Sequence, residues 1–249
     1  MVLKKNGDGM SKIRYSIILI FAFIVILMTF AGCSEESNPT DEPFVDHTGE
    51  TGTVTDIDGN IYSTIGIGGQ IWMAENLKVT QYRNGDEIPN LTDDILWSNT
   101  NEGAYCSYNN DPNIAAVYGN LYNWYTVIDG RNIAPEGWHV PTEDEWDKLI
   151  NWLGGEDTAG GKLKSTDLWN APNAGATNES GFSGLPSGMK LGIYYINLNT
   201  QGFFRTRSYW NIGGQVWPVN YTLHKDSVNV LTYTLNDKTM GLSVRCVKD

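Results

Sequence analysis

The sequence is short of cysteine, histidine and positive charge, and each shortage narrows what the chain can do. Three cysteines and three histidines in 249 residues are too few for the Cys/His clusters of zinc sites, and His47, His139 and His224 lie scattered without ligand spacing. No metal and no cofactor is expected. Seventeen basic residues stand against 29 acidic ones, a formal net charge of −12. Such a surface repels phosphate backbones and anionic lipid, so nucleic acid is set aside as a partner. Long apolar runs are missing too. Ile17 to Met28 spans 12 residues, where a membrane-crossing helix needs about 20.

That short run, preceded by Lys12 and Arg14, has the form of a signal-peptide core. It ends in Thr29-Phe30-Ala31-Gly32-Cys33, which resembles the lipobox of bacterial lipoproteins, with Phe30 where Leu is usual. The resemblance implies that residues 1–32 are removed and that Cys33 is lipidated as the first mature residue. The alternative is an uncleaved N-terminal anchor, and Met10 is an alternative start. Ser34-Glu35-Glu36 resembles the acidic signal that carries some lipoproteins to the outer face of the outer membrane. The expected location is the bacterial cell envelope, attached through the lipid at the outer membrane and exposed at the cell surface. Loss of the leader removes four bases and Asp8, leaving 13 bases against 28 acids, a net charge of −15. Residues 33–51, polar with Pro39 and Pro43, are expected to form a flexible tether, and 52–249 the folded domain.

With Cys33 carrying lipid, Cys106 and Cys246 remain. In an oxidising compartment an even pair is most simply a disulfide; two buried free thiols are the alternative.

The rest of the composition describes an ordered, turn-rich fold. Nine Trp and thirteen Tyr supply a core, and 27 Gly imply many tight turns between short strands. Thr142 followed three residues later by Glu145 is a capping box, and Trp146, Leu149, Ile150 and Leu153 form one apolar stripe ending at Gly154. A helix is expected from Thr142, with little else helical. Thr53–Thr55 and Ile61–Ile65 flank an Asp-Gly turn and should form a hairpin. Asp56, Asp58 and Asn60 also match the start of an EF-hand calcium loop, but Ile67 occupies the twelfth position, so the turn is preferred. Residues 66–70 read as a second turn, 71–77 as a strand, 82–112 and the stretch after Gly155 as loops. Strands are expected at 192–196, 203–210, 216–221, 228–234 and 241–247.

Several segments together resemble the Fibrobacter succinogenes major paralogous domain. They are Asp58-Gly59-Asn60-x-Tyr62, Gln70-x-Trp72-Met73-Ala74-Glu75-Asn76-Leu77, Tyr118-Gly119-x-Leu121-Tyr122-Asn123-Trp124-Tyr125, Ala134 through Thr142, Glu145-Trp146 and Ser243-Val244-Arg245-Cys246-Val247. A more distant similarity reaches the formylglycine-generating and C-type-lectin-like folds. The resemblance implies an α+β, C-type-lectin-like domain, loop-rich, with short twisted antiparallel strands and one or two core helices. That fold hosts enzymes and binding proteins alike.

Formylglycine-generating chemistry needs two nearby cysteines that bind copper, and Cys106 and Cys246 are 140 positions apart. His139 reads as a hydrogen-bonded structural residue. No catalytic residue is therefore assigned. A binding module fits better, with Trp97, Tyr108, Trp169, Tyr209, Trp210 and Trp217 as candidate ligand-stacking residues on loops, against the alternative that most of them fill the core. The expected role is non-catalytic binding of an extracellular glycan or protein, the alternative an enzyme of, or degenerate relative of, the formylglycine-generating type.

Overall fold

The capping box forms as the sequence implies. In the computed structural model, which describes residues 44–249, Thr142 Oγ1 accepts from the Glu145 N–H at 3.3 Å while Glu145 Oε2 accepts from the Thr142 N–H at 2.7 Å. The helix so started, α4, runs Glu143–Trp152 and buries Trp146, Leu149 and Ile150. The leader, the lipidation site at Cys33 and the first part of the tether lie outside the described residues.

Two five-stranded sheets and a two-stranded one make up the rest of the framework. The strands are β1 (Thr51–Thr55), β2 (Ile61–Ile67), β3 (Gln70–Met73), β4 (Tyr105–Cys106), β5 (Leu121–Tyr122), β6 (Trp138–His139), β7 (Ser187–Leu191), β8 (Tyr194–Leu198), β9 (Gln201–Ile212), β10 (Gln215–His224), β11 (Val230–Thr234) and β12 (Val247–Lys248). The first sheet has the order β1-β2-β3-β12-β6, so the beginning and end of the domain meet in it. The second has the order β11-β10-β9-β7-β8, antiparallel except where β7 meets β9. The β1–β2 hairpin pairs Thr53 with Ser63, as its Asp-Gly turn requires. Asp56 accepts from the Asn60 backbone at 2.9 Å and the Tyr62 hydroxyl at 2.6 Å, and Asp58 from the Thr80 backbone at 2.6 Å. These carboxylates thus tie the turn to the domain.

The helices α1 (Asp94–Asn99), α2 (Pro112–Tyr118), α3 (Trp124–Ile128) and α5 (Glu156–Leu163) were not expected. Three of them start at a side-chain cap: Asp93, Asp111 and Asn123 each accept from backbone N–H groups of the first turn. The fourth contains Gly160-Gly161, which reads locally as a turn. A Cβ at Gly160 would lie 2.5 Å from the Asn229 carbonyl, and one at Gly161 2.5 Å from that of Gly175. These glycines admit neighbouring backbone to a helix face.

Trp146 joins the layers. Its ring stacks on Tyr221 of β10 at 4.8 Å and meets Trp72 of β3 at 5.4 Å, Phe204 of β9 at 5.5 Å and Phe182 at 5.6 Å. One α4 side chain therefore packs against strands of both large sheets. Such pairs contribute about 0.5–1.5 kcal/mol each beyond their burial. Two lysines are buried as well. Lys164 donates to the carbonyls of Ala174, His224 and Ser227 at 2.8, 3.0 and 2.8 Å, and Lys190 to Asp94 and the Tyr195 hydroxyl at 2.5 and 3.0 Å.

The expected disulfide is not formed. Cys106 and Cys246 are free, buried thiols in different hydrophobic clusters, the first with Trp97 and Leu121, the second with Tyr62 and Tyr122. Their even number suggested a bond, but packing places them apart.

Candidate functional site

Beyond Thr206 the strand β9 leaves the core. Arg205 and Thr206 are fully buried, whereas Tyr209 and Trp210 are 54% and 41% exposed. The strand continues to Ile212 and returns through Gly213-Gly214, whose φ values of 61° and 81° suit a two-residue hairpin turn. Trp210 lies opposite Trp217, and Tyr209 opposite Pro218. A register shift between Pro218 and Asn220 separates this arm from the regular ladder below.

The arm is fixed to the start of α4. Arg207 N–H donates to the Pro141 carbonyl at 2.9 Å, and the Glu143 N–H to Ser208 Oγ at 2.9 Å. The Trp210 indole N–H then donates to the Glu143 carboxylate, at 3.0 Å to Oε2 and 3.2 Å to Oε1. Alternation along a strand puts Ser208 and Trp210 on the side that meets Glu143, with Arg207 and Tyr209 turned the other way. The Tyr209 ring meets that of buried Trp124 edge-on at 6.2 Å. Thr142, Glu143, Asp144, Arg207, Ser208 and Tyr209 line an open cleft of about 370 Å³ at this junction.

This arrangement offers an exposed Trp210 ring oriented by the Glu143 carboxylate, next to a cleft lined by hydroxyls, carboxylates, the Tyr209 ring and one guanidinium. It can stack on an apolar face and exchange hydrogen bonds with a polyhydroxyl ligand.

Of the six aromatic candidates, the structure brings Tyr209, Trp210 and Trp217 together on this arm and withdraws the other three. Trp97 is 0% exposed, in the cluster holding Cys106. Tyr108 is buried against Tyr195 at 5.2 Å. Trp169 is buried, its indole N–H donating to the Gly184 carbonyl at 3.0 Å. Their flanks read as loops, but those loops are packed, and a large ring in a packed loop fills space. Glu143 and Ser208 were missed as site residues. The acid was explained by its place at a helix start, and only the period of two in Ser208, Trp210 and Ile212 hinted at a shared face.

His139 is hydrogen-bonded at both ring nitrogens. Its Nε2 lies 2.7 Å from Glu145 Oε1 and its Nδ1 2.6 Å from Asp249 Oδ1, joining the capping box to the segment after β12. Burial works to raise the Glu145 carboxyl, but bonds from Thr142 and His139 outweigh it and hold the group below the ordinary glutamate value. Among the described residues no three His, Cys, Asp or Glu side chains converge to hold a metal. Burial pushes the Cys106 thiol up to about 12 and raises that of Cys246 as well, the opposite of what a reactive thiolate needs.

The fold is thus an α+β domain with a projecting aromatic arm. The chain belongs to the Fibrobacter succinogenes major domain family, whose model matches residues 65–248. No curated protein and no solved structure matches it. The matched span includes the core around Trp146 and the arm.

Proposed function

We propose that this chain is a non-catalytic, lipid-anchored protein of the bacterial cell surface whose β9–β10 arm binds an extracellular glycan. The observation that carries the reading is Trp210, exposed beside Trp217 with its indole N–H held by the Glu143 carboxylate. The C–H faces of a sugar ring stack on such an indole, and its hydroxyls find an acceptor in Glu143 and a hydroxyl in Ser208 on the same side of the strand, with Asp144 in the adjoining cleft. Asn211 and Gln215 add exposed amides near the turn. The acidic surface favours a neutral glycan over a sulfated or uronic one. A C-type-lectin-like arrangement is supported by β1 and β12 sharing a sheet and by the helix that follows Trp138 and Thr142. Against an enzyme of the formylglycine-generating type weighs the separation of the two thiols into different clusters.

The test is a glycan-array and polysaccharide pull-down screen with residues 44–249, with and without calcium. Saturable binding lost in Trp210→Ala is the expected result. Binding to nothing under either condition would contradict the reading and point to a protein partner, to be sought by surface cross-linking.

A further inference from the structure

The chain does not enter the domain loosely. His47 N–H donates to the Gly68 carbonyl at 2.7 Å, Gly49 N–H to that of Gly66 at 2.9 Å, and Gly68 N–H to Thr48 Oγ1 at 2.9 Å. Residues 44–50 therefore form a strap along the β2–β3 turn. At its outer end the Phe44 ring lies 5.9 Å from that of Trp152, so close over the turn that a Cβ on Gly69 would come within 2.8 Å of it. These rings stay open to solvent. Phe44 is 69% exposed, Val45 54% and Trp152 46%, beside an open cleft of about 590 Å³ that Lys148 also lines.

Trp152 is the last residue of α4 and Glu143 the first. The strap therefore reaches one end of the helix and the aromatic arm the other, separated by about 15 Å at 1.5 Å per residue.

We infer that Phe44, Val45 and Trp152 form a membrane-contact patch. It seats this end of the domain in the headgroup region of the anchoring lipid layer and turns the Trp210 face outward. The inference rests on the lipid-anchor reading. Only ten residues separate Cys33 from Phe44, a span of roughly 16–19 Å for a flexible chain. A patch held so near the surface acts at an effective concentration on the order of millimolar, so weak contacts suffice. Aromatic rings favour the headgroup level, and the exposed Lys148 can reach lipid phosphate from the rim of the patch. The acidic chain favours zwitterionic over anionic lipid.

The experiment uses residues 34–249, which include the whole described domain, with an N-terminal histidine tag. The protein is captured on phosphatidylcholine vesicles that contain a nickel-chelating lipid and brominated acyl chains, which quench tryptophan on contact. Of the nine tryptophans, Trp152 and Trp210 are the strongly exposed ones. Quenching lost in Trp152→Phe and retained in Trp210→Phe is expected. No quenching, or quenching lost instead in Trp210→Phe, would overturn the inference. Capture through the tag makes this readout independent of lipidation, which is tested separately by the mass of the Cys33 peptide from the membrane-purified protein.

Discussion

Arg245 Nε donates to Asn76 Oδ1 at 2.9 Å, deep in the domain and 169 positions apart in the chain. The same guanidinium donates to the Phe182 and Ser183 carbonyls and lies 4.3 Å over the Phe182 ring. Two segments that carry the family resemblance, the one around Asn76 and the one around Arg245, thus meet around a buried cation. Burial pushes the guanidinium pKa down, yet arginine stays charged in proteins. Its partners therefore fix the crossing of three segments.

Replacing it should show this role directly. Arg245→Met leaves two carbonyls and an amide oxygen without a donor, each costing about 1–3 kcal/mol. Loss of about 3 kcal/mol or more is expected in urea unfolding. A change below about 1 kcal/mol would mean that the network is dispensable.

Acid should weaken the start of α4. Because the folded Glu145 pKa is depressed, its contribution is present above the unfolded value of about 4.5 and is lost as pH falls through the folded value. Glu145→Gln keeps a capping-box side chain without the titrating group. Its stability should therefore fall less steeply than that of the wild type below about pH 4.5. Parallel curves from thermal melts across this range would contradict the role given to the carboxylate. Thr142→Ala should cost about 1 kcal/mol at neutral pH.

The thiols should be inert. In residues 44–249, Cys106 and Cys246 should both resist Ellman's reagent at pH 8 until denaturant is added, when both react. A disulfide mass, or rapid labelling of the native protein, would contradict the packing described.

The parts of this fold that were legible in the sequence were those encoded by neighbouring residues. The Thr142–Glu145 box and the Asp-Gly hairpin between Thr53–Thr55 and Ile61–Ile65 act within a few positions, and each formed where expected, although the second strand runs on through Ile67 into the stretch read as a turn. The short helices were missed although Asp93, Asp111 before Pro112 and Asn123 are good caps, because five to seven residues hold too little periodicity to distinguish them from loops. Whether an aromatic in a Gly- and Asn-rich stretch is buried depends on distant chain. Trp97 and Trp169 are covered by residues far away in sequence, whereas Trp210 stands on an arm that outruns its sheet. The pairing of Trp210 with Glu143 joins positions 67 apart, which no local pattern reports.

The most direct test of the central claim is a binding isotherm for the polysaccharide found in the screen, measured on the wild type and on Trp210→Ala. Removing one central aromatic anchor should cost about 2 kcal/mol, a weakening of roughly thirtyfold, with the melting temperature little changed because Arg207 and Ser208 still hold the arm to α4. Equal affinity in the two proteins would contradict the account and place the binding surface elsewhere on the domain.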